Sequence, residues 1–384
     1  MRKVVVLGAT GSIGVQALEV IAGSDELAVA GLSADTGWEA LVEAAREHGV
    51  PRIALADAGA AQAAGEAWKG EVLAGEEGIR ELVAASGADL VLNGIVGFAG
   101  LGPTIVALTE GIDVALANKE SLVAGGRLVT ALAEATGARI IPVDSEHSAL
   151  FQLIRGEGPG TVTRLVLTAS GGPFRGRTDL GGVTRAEALA HPTWEMGGRI
   201  TIDSATLANK GFEMIEAHLL FDVPYERIDV LVHPQSIVHS LVHLNDGAAL
   251  AHLGYPDMRV PISYALNHPE RADVPLDRLD LAAVGELTFE NPDAAAFPCL
   301  RLAREAGETG GTAPAVLNAA DEVAVEAFLS ERIAFTAIPE VIEATLDSMP
   351  LSEPAHLEEI YAADAEARER AARLTGRADG AVRT

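Results

Sequence analysis

Cysteine is almost missing from this chain of 384 residues. Cys299 stands alone, so no intrachain disulfide can form, and the sequence fits a reducing, cytoplasmic setting. Long apolar runs are missing too: none approaches the ~20 residues that a membrane-spanning helix needs. The chain enters a strand pattern at once (Arg2-Lys3-Val4-Val5-Val6-Leu7), which predicts that no targeting segment precedes the fold. Positive charge is scarce. With 28 basic against 55 acidic residues the formal net charge is −27, which argues against nucleic acid or an anionic membrane as a partner. An anionic substrate must therefore be held by locally placed cations. Lysine is scarcest of all: Lys3, Lys69, Lys119 and Lys210 are the only four, so the other 24 of the 28 basic residues are arginine. Two of the four share a lead-in, Ala117-Asn118-Lys119 and Ala208-Asn209-Lys210, where a compact ammonium offers what a guanidinium does not.

What is present is ordinary for a globular enzyme, with 48% hydrophobic and 22% charged residues. The length exceeds what one compact core serves, which predicts two or three domains. Through about residue 145, strand and helix patterns alternate, predicting an α/β, doubly wound parallel sheet. Strands are expected at Val4–Leu7, Ala28–Leu32, Arg52–Ala56, Leu90–Asn93, Val114–Ala117 and Ile140–Val143. The first turn reads Gly8-Ala9-Thr10-Gly11-Ser12-Ile13-Gly14. Glycines there let the backbone approach a pyrophosphate, and the following helix adds its dipole and free N–H groups. The alternative is a glycine-rich turn with no ligand. Asp35, after the second strand, either bonds a ribose hydroxyl or caps the helix beginning at Trp38.

At Pro142-Val143-Asp144-Ser145-Glu146-His147 an apolar strand runs directly into two carboxylates. If the strand period persists, Asp144 and Glu146 project to one side, as hard oxygen ligands suited to Mg²⁺ or Mn²⁺. Otherwise Asp144 or Ser145 caps a helix beginning near Ser148. Beyond Thr161–Thr168, a further strand, the segment Ser170–Gly198 shows no clear period and reads as a mobile flap, with Trp194 and Met196 as its large apolar groups. A satellite cluster under a loop is the other reading. Asp203 or Ser204 is expected to cap a helix carrying Asn209, Lys210 and Glu213 on one face. Ser204, Asn209 and Lys210 together suit a phosphate; a solvated ion pair is the plainer alternative. His233, His239 and His243 fall on strand-like stretches without cysteine partners, which suits satisfied or interface histidines better than zinc ligands. From about Glu290 onward the chain reads as helical, with Ala313–Leu329, Ile338–Asp347 and Glu353–Leu374 at helical spacing and Gly376–Thr384 frayed.

Six motifs in order carry a resemblance over nearly the whole chain: the glycine turn, Leu116-Ala117-Asn118-Lys119-Glu120-Ser121, the Asp144/Glu146 segment, Ser170-Gly171-Gly172-Pro173-Phe174, His191-Pro192-Thr193-Trp194 and Asn209-Lys210-Gly211-Phe212-Glu213. The sequence resembles the 1-deoxy-D-xylulose 5-phosphate reductoisomerase family. That resemblance implies a Rossmann-like NADPH-binding domain (1–145), a central α/β catalytic and connective domain with a flap and a dimerisation sheet (146–285), and a linker with a C-terminal helical bundle (286–384). It implies Mg²⁺ or Mn²⁺ on Asp144, Glu146 and Glu213, and a sugar phosphate on Lys119, Ser145, Glu146, Ser170, His191, Trp194, Ser204, Asn209, Lys210 and Glu213. NADPH is implied to touch Gly8, Thr10, Gly11, Ser12, Ile13, Asn118, Glu120 and Gly197, and catalysis to rest on Lys119, Asp144, Glu146, His191 and Glu213. The implied reaction is metal-dependent rearrangement and reduction of 1-deoxy-D-xylulose 5-phosphate to 2-C-methyl-D-erythritol 4-phosphate, for isoprenoid precursors, by a cytoplasmic homodimer. Ala34-Asp35-Thr36 departs from the family's usual 2′-phosphate turn. Two alternatives stay open, a metal-independent NAD(P) sugar dehydrogenase and a non-enzymatic dinucleotide sensor.

Overall fold

The computed structural model describes residues 1–194 and 196–381, with the side chains of 377–381 left aside. The chain folds into two compact units. The first comprises Met1–Ser121, Val129–Ser148 and Asp257–Asp277; the second comprises Leu122–Leu128, Ala149–Pro256 and the chain from Arg278 onward.

The first unit is the expected α/β sheet. Its strands are β1 (Arg2–Leu7), β2 (Leu27–Ala34), β3 (Arg52–Leu55), β4 (Glu71–Ala74), β5 (Leu90–Asn93), β6 (Asp113–Leu116) and β7 (Ile140–Pro142). They lie in the order β4-β3-β2-β1-β5-β6-β7 and every pairing is parallel. Strands covered on both faces bury every side chain, which is why Val4–Leu7 and Leu90–Asn93 are wholly buried, unbroken runs. The helices between them are α1 (Ser12–Ala22), α2 (Trp38–Glu47), α3 (Ala58–Ala67), α4 (Gly75–Ala84), α5 (Leu101–Thr109) and α6 (Lys119–Thr136), and α7 (Ser145–Ile154) follows β7; Leu122–Leu128 of α6 and α7 from Ala149 belong to the second unit. Strand β4 escapes sequence reading because it is a short edge with little burial and an ordinary Glu-Val-Leu-Ala composition.

The second unit holds a four-stranded sheet of β8 (Val162–Ala169), β9 (Ile228–Val232), β10 (Val238–Leu244) and β11 (Ala249–Leu253), ordered β11-β10-β8-β9. β8 pairs parallel with β9, while β10 runs antiparallel to both β8 and β11. Before β9 come α8 (Arg185–Leu189), α9 (Gly198–Thr206) and α10 (Ala208–Phe221). After β11 the chain returns to the first unit as α11 (Arg259–Asn267), where the Arg2 guanidinium donates to Leu266 O at 2.9 Å and His268 O at 3.3 Å. It then supplies α12 (Leu281–Val284), α13 (Pro298–Thr309), α14 (Ala313–Leu329), α15 (Ala337–Ser348) and α16 (Leu357–Ala381) to the second unit. Helix α16 is Leu357–Ala381; the expected frayed end beyond Gly376 falls on residues whose side chains are left aside and on Val382–Thr384, which lie outside the described residues. Among the described residues no helix is long and apolar enough to cross a membrane.

Residues 170–198 are less structureless than the sequence implies. Phe174, Leu180, Val183 and Ala188 are buried in the core of the second unit, and Phe174 meets Phe335 edge-on at 5.1 Å. Thr184 and Glu187 form a capping box at the start of α8, and that exchange of hydrogen bonds, with Arg177 behind it, holds the Glu187 carboxyl down at about 2. From Ala190 to Gly197 the described residues form no regular element, and His191, Thr193, Trp194 and Met196 are half-buried.

Candidate active site

The glycine turn lies at the carboxyl end of β1, where the strand order reverses between β1 and β5. Open α/β sheets bind ligands at that switch point. Gly8 sits at φ +74°, and a Cβ there would come within 2.6 Å of Gly94 O; one on Gly14 would come within 2.3 Å of Gly8 O. The first closes the turn and the third packs α1 against it. Gly11 is the N-cap of α1, no side chain bonds the cap and no acid lies in the first turn, so the N–H groups there suit a pyrophosphate. Thr10, Gly11 and Ser12 are exposed, and Ile13 is half-buried. These residues fit a dinucleotide. Gly37 packs against Thr10, with 3.3 Å from its Cβ position to the Thr10 hydroxyl, so the turn carrying exposed Asp35 borders the cradle. Asp35 does not cap α2: the N-cap is Gly37 and no side chain bonds it, because the turn after β2 is two residues longer than a cap at Asp35 allows.

Asn118 and Glu120 are turned inward. The Asn118 amide accepts from Ser121 N at 2.9 Å and donates to Ile95 O at 2.6 Å and Gly97 O at 2.9 Å; Glu120 accepts from Gly97 N at 3.1 Å. Both therefore brace the loop after β5 that flanks the cradle. Lys119, between them and nearly buried, forms an ion pair with Asp144 across 25 residues of sequence. Sequence spacing could not join them; the adjacency of β6 and β7 does.

The strand does not carry its period past Val143. β7 ends at Pro142 and α7 begins at Ser145, so Glu146 sits in a first helical turn rather than on a continued strand, yet the Asp144 and Glu146 carboxylates still come within 4.8 Å of each other, as expected. Asp144 holds the capping position, its carbonyl accepting from Ser148 N at 2.8 Å, while its carboxylate faces Lys119. Ser145 Oγ donates to Glu146 at 2.6 Å. His147, wholly buried, places Nδ1 3.9 Å from the Asp144 carboxylate. Sequence reading gave it no role. It likewise missed Ser33, whose hydroxyl accepts from Gly8 N at 3.3 Å, and Asn93, which holds Ile95 N at 3.1 Å and Gly100 O at 2.9 Å. Each is the lone polar residue near the end of a buried strand, and that was the available signal.

In the second unit Asp203 and Ser204 do not cap a helix. They lie inside α9, whose N-cap is Gly197; the chain then breaks at Leu207 (φ +60°) and α10 follows. Asn209 donates to Glu213 at 2.7 Å and the Lys210 ammonium pairs with the other Glu213 oxygen, so these three share one face as expected. Lys210 and Glu213 are 3% and 1% exposed, which removes the solvated surface pair as an account. Ser204 and Asn209 remain half-open beside them. Two hydroxyl or amide donors, an ammonium and a carboxylate at one break between helices form a polar cradle suited to a phosphate and a hard cation.

In the irregular stretch after α8, His191 Nδ1 accepts from Thr193 N at 3.1 Å and Trp194 N at 2.9 Å, which leaves the ring proton on Nε2, 3.1 Å from Ser170 Oγ. Burial pushes the His191 pKa below its usual value, in keeping with a neutral ring. Trp194 is half-buried and Gly197 exposed.

Comparison with known proteins bears on the whole chain. Three family models match: 1-deoxy-D-xylulose 5-phosphate reductoisomerase at residues 4–126, its C-terminal domain at 140–221, and a DXP reductoisomerase C-terminal domain at 253–370. A 1-deoxy-D-xylulose 5-phosphate reductoisomerase of Symbiobacterium thermophilum is 51% identical over 381 residues, 97% of this chain and 98% of that one. One from Chlorobium phaeobacteroides is 49% identical over 384 residues, 98% of this chain and all of that one. Among solved structures, the Zymomonas mobilis reductoisomerase in complex with NADPH aligns with a TM-score of 0.89 at 42% identity, over 97% of this chain and 99% of its own. A DOX-P reductoisomerase in complex with NADPH, fosmidomycin and magnesium aligns at 0.92 and 39% identity, over 98% of both chains. Glycine cradle, lysine-paired carboxylates and helix-break clamp thus fall in a chain that, from end to end, belongs to the 1-deoxy-D-xylulose 5-phosphate reductoisomerase family.

Proposed function

We propose that this protein is an NADP-dependent oxidoreductase and isomerase that rearranges and reduces 1-deoxy-D-xylulose 5-phosphate to 2-C-methyl-D-erythritol 4-phosphate, on the route to isoprenoid precursors. The observation that carries the reading is the joint presence of a ligand-ready cradle at the switch point and a buried Lys210–Glu213 face beside half-open Ser204 and Asn209. A dinucleotide sensor needs no such clamp.

In this reading Ser204, Asn209 and Lys210 hold the phosphate end, and that non-reacting contact contributes binding energy toward closing the flap. Asp144, Glu146 and Glu213 ligate Mg²⁺ or Mn²⁺, a donor set of hard oxygens that suits these ions. When bound, the metal supplies Lewis acidity toward the ketone and its neighbouring hydroxyl, and NADPH supplies the hydride. Lys119, Ser145, Glu146, Ser170 and His191 orient the sugar; the neutral His191 offers its Nε2 proton as a hydrogen-bond donor there. Trp194 covers the substrate and keeps water from the rearranged aldehyde. Gly8, Thr10, Gly11, Ser12, Ile13 and Gly197 contact NADPH, and Asn118 and Glu120 serve it through the loop after β5.

Three functional parts follow: an NADPH-binding region over 1–145, a catalytic and connective region over 146–285 and a helical region over 286–384. The protein works as a cytoplasmic homodimer, its four-stranded sheet, with β11 at the edge, offering the surface for the second copy. A coupled assay tests the activity: reduced-cofactor absorbance should fall with 1-deoxy-D-xylulose 5-phosphate and Mn²⁺, and excess chelator should stop it. Turnover that survives chelation means a metal-independent dehydrogenase; no cofactor consumption means a sensor. Sedimentation should give twice the 39.8 kDa chain mass.

A further inference from the structure

Arg199 occupies the first turn of α9, immediately after the flap. A cation there opposes the helix dipole, so helix formation does not account for it. Its side chain is turned inward. Nη1 lies 2.9 Å from Glu322, Nη2 is 3.1 Å from the Asn318 amide oxygen and 3.6 Å from Asp321, and Nε is 3.6 Å from Asp203 one turn along the same helix. Asp321 is wholly buried and Asp203 nearly so. Glu322 is shared with Arg368 of α16 at 2.8 Å, and Arg368 also holds Asp364 at 2.7 Å. One guanidinium thereby ties α9 to α14, and through Glu322 to α16.

The other end of α9 is the half-open clamp. Ser204 lies there, the break at Leu207 is buried, and Asn209 and Lys210 open α10. The start of the flap rests on the same place: a Cβ on Gly172 would meet Ser204 O at 2.8 Å. At the flap's far end, Gly198 has Leu189 of α8 and Leu329 of α14 about it, at 3.8 and 4.0 Å from its Cβ position. The nine residues of α9 therefore form a short beam. Both ends of the flap meet it, the clamp sits at one end and the Arg199 fork at the other.

We propose that Arg199 is a positioning residue: its fork onto α14 fixes α9, and with it the clamp Ser204–Asn209–Lys210 and the end of the flap. The C-terminal helices set substrate affinity through this tie. The clamp's role rests on the sugar-phosphate reading above, whereas the anchoring of α9 does not. An anchor for overall stability alone would lower the melting temperature and leave the kinetics of the folded enzyme unchanged.

The test uses the full chain as Arg199→Met and Arg199→Lys. In Arg199→Met the KM for 1-deoxy-D-xylulose 5-phosphate should rise about tenfold or more, the order expected for a lost charge-assisted hydrogen bond, with a smaller fall in kcat. The KM for NADPH should change less than that for the sugar phosphate, because every proposed NADPH contact except Gly197, the N-cap of α9, belongs to the first unit. Arg199→Lys keeps the charge but cannot reach Asn318, Glu322 and Asp203 together, so its KM should fall between the two; it also decides the matter alone if the Met variant does not fold. Amide hydrogen exchange should quicken over residues 198–210 and stay unchanged in β1–β7. Wild-type exchange over 198–210 together with a wild-type substrate KM in a folded variant overturns the proposal, whatever its melting temperature. If the unaltered protein turns over no 1-deoxy-D-xylulose 5-phosphate, the functional reading fails, and the exchange of 198–210 still decides whether Arg199 positions the clamp.

Discussion

Replacing Gly14 with alanine should cripple cofactor binding while leaving the chemical groups of the site untouched. The added Cβ would lie 2.3 Å from Gly8 O and 2.5 Å from Ala9 Cα, where ordinary contact begins at 3.4 Å. Both obstacles are backbone, so α1 must back away from the turn by about 1 Å, and overpacking of this kind costs about 1–3 kcal/mol. The same displacement carries the first-turn N–H groups away from the pyrophosphate. If two charge-assisted bonds of about 1.5–3 kcal/mol each lose roughly half their worth, some 2 kcal/mol of binding goes. That is about a thirtyfold weaker Kd for NADPH. Gly11→Ala is the comparison, because its Cβ would stand 3.3 Å from Gly8 O and the fold can absorb it. Its melting temperature should match wild type. The assay is a titration of NADPH fluorescence on each purified protein, beside a thermal melt. Wild-type affinity and stability in Gly14→Ala would refute the close-packing account of the third glycine.

Glu213→Gln should keep the fold yet weaken Mn²⁺ binding and nearly abolish turnover; metal titration with full retained affinity would remove Glu213 from the ligand set. At the flap, burial lowers the His191 pKa, so its neutral ring supports the local structure above the ordinary value near 6.5 and that support is lost as pH falls below it. Trp194 fluorescence, isolated by replacing Trp38 and Trp68, should therefore change on acidification from about pH 7 to 5. The change should vanish in His191→Gln, and a flat profile in the parent would count against the coupling. Asp35→Ser should raise NADPH affinity with NADH nearly unchanged, since a carboxylate bordering the cradle repels a 2′-phosphate; selective loss of NADH would instead place Asp35 on the ribose hydroxyls.

Much of this protein is written locally. Buried parallel strands must be apolar throughout, so Val4–Leu7 and Leu90–Asn93 declare themselves, and the spacing Gly8–Gly11–Gly14 encodes a turn whose contacts span only a few residues. The Asn209–Lys210–Glu213 face follows from helical spacing alone. Other features depend on which strands and helices become neighbours. Period-two reasoning carried Asp144 and Glu146 along a strand that stops at Pro142, because a helix start within two residues is decided by packing around Val143 and His147. The inward turn of Asn118 and Glu120 is invisible until β5 and β6 lie side by side. Lys119 finds Asp144 only because β6 pairs with β7, and Arg199 finds Asn318 across 119 residues only when α9 docks on α14. Sequence by itself determined most of the elements and the chemistry they carry, since propensity, burial period and glycine geometry act over a few residues. Tertiary structure alone decided which carboxylate each cation meets, since an ion pair needs an approach of a few ångströms that only the packed topology provides.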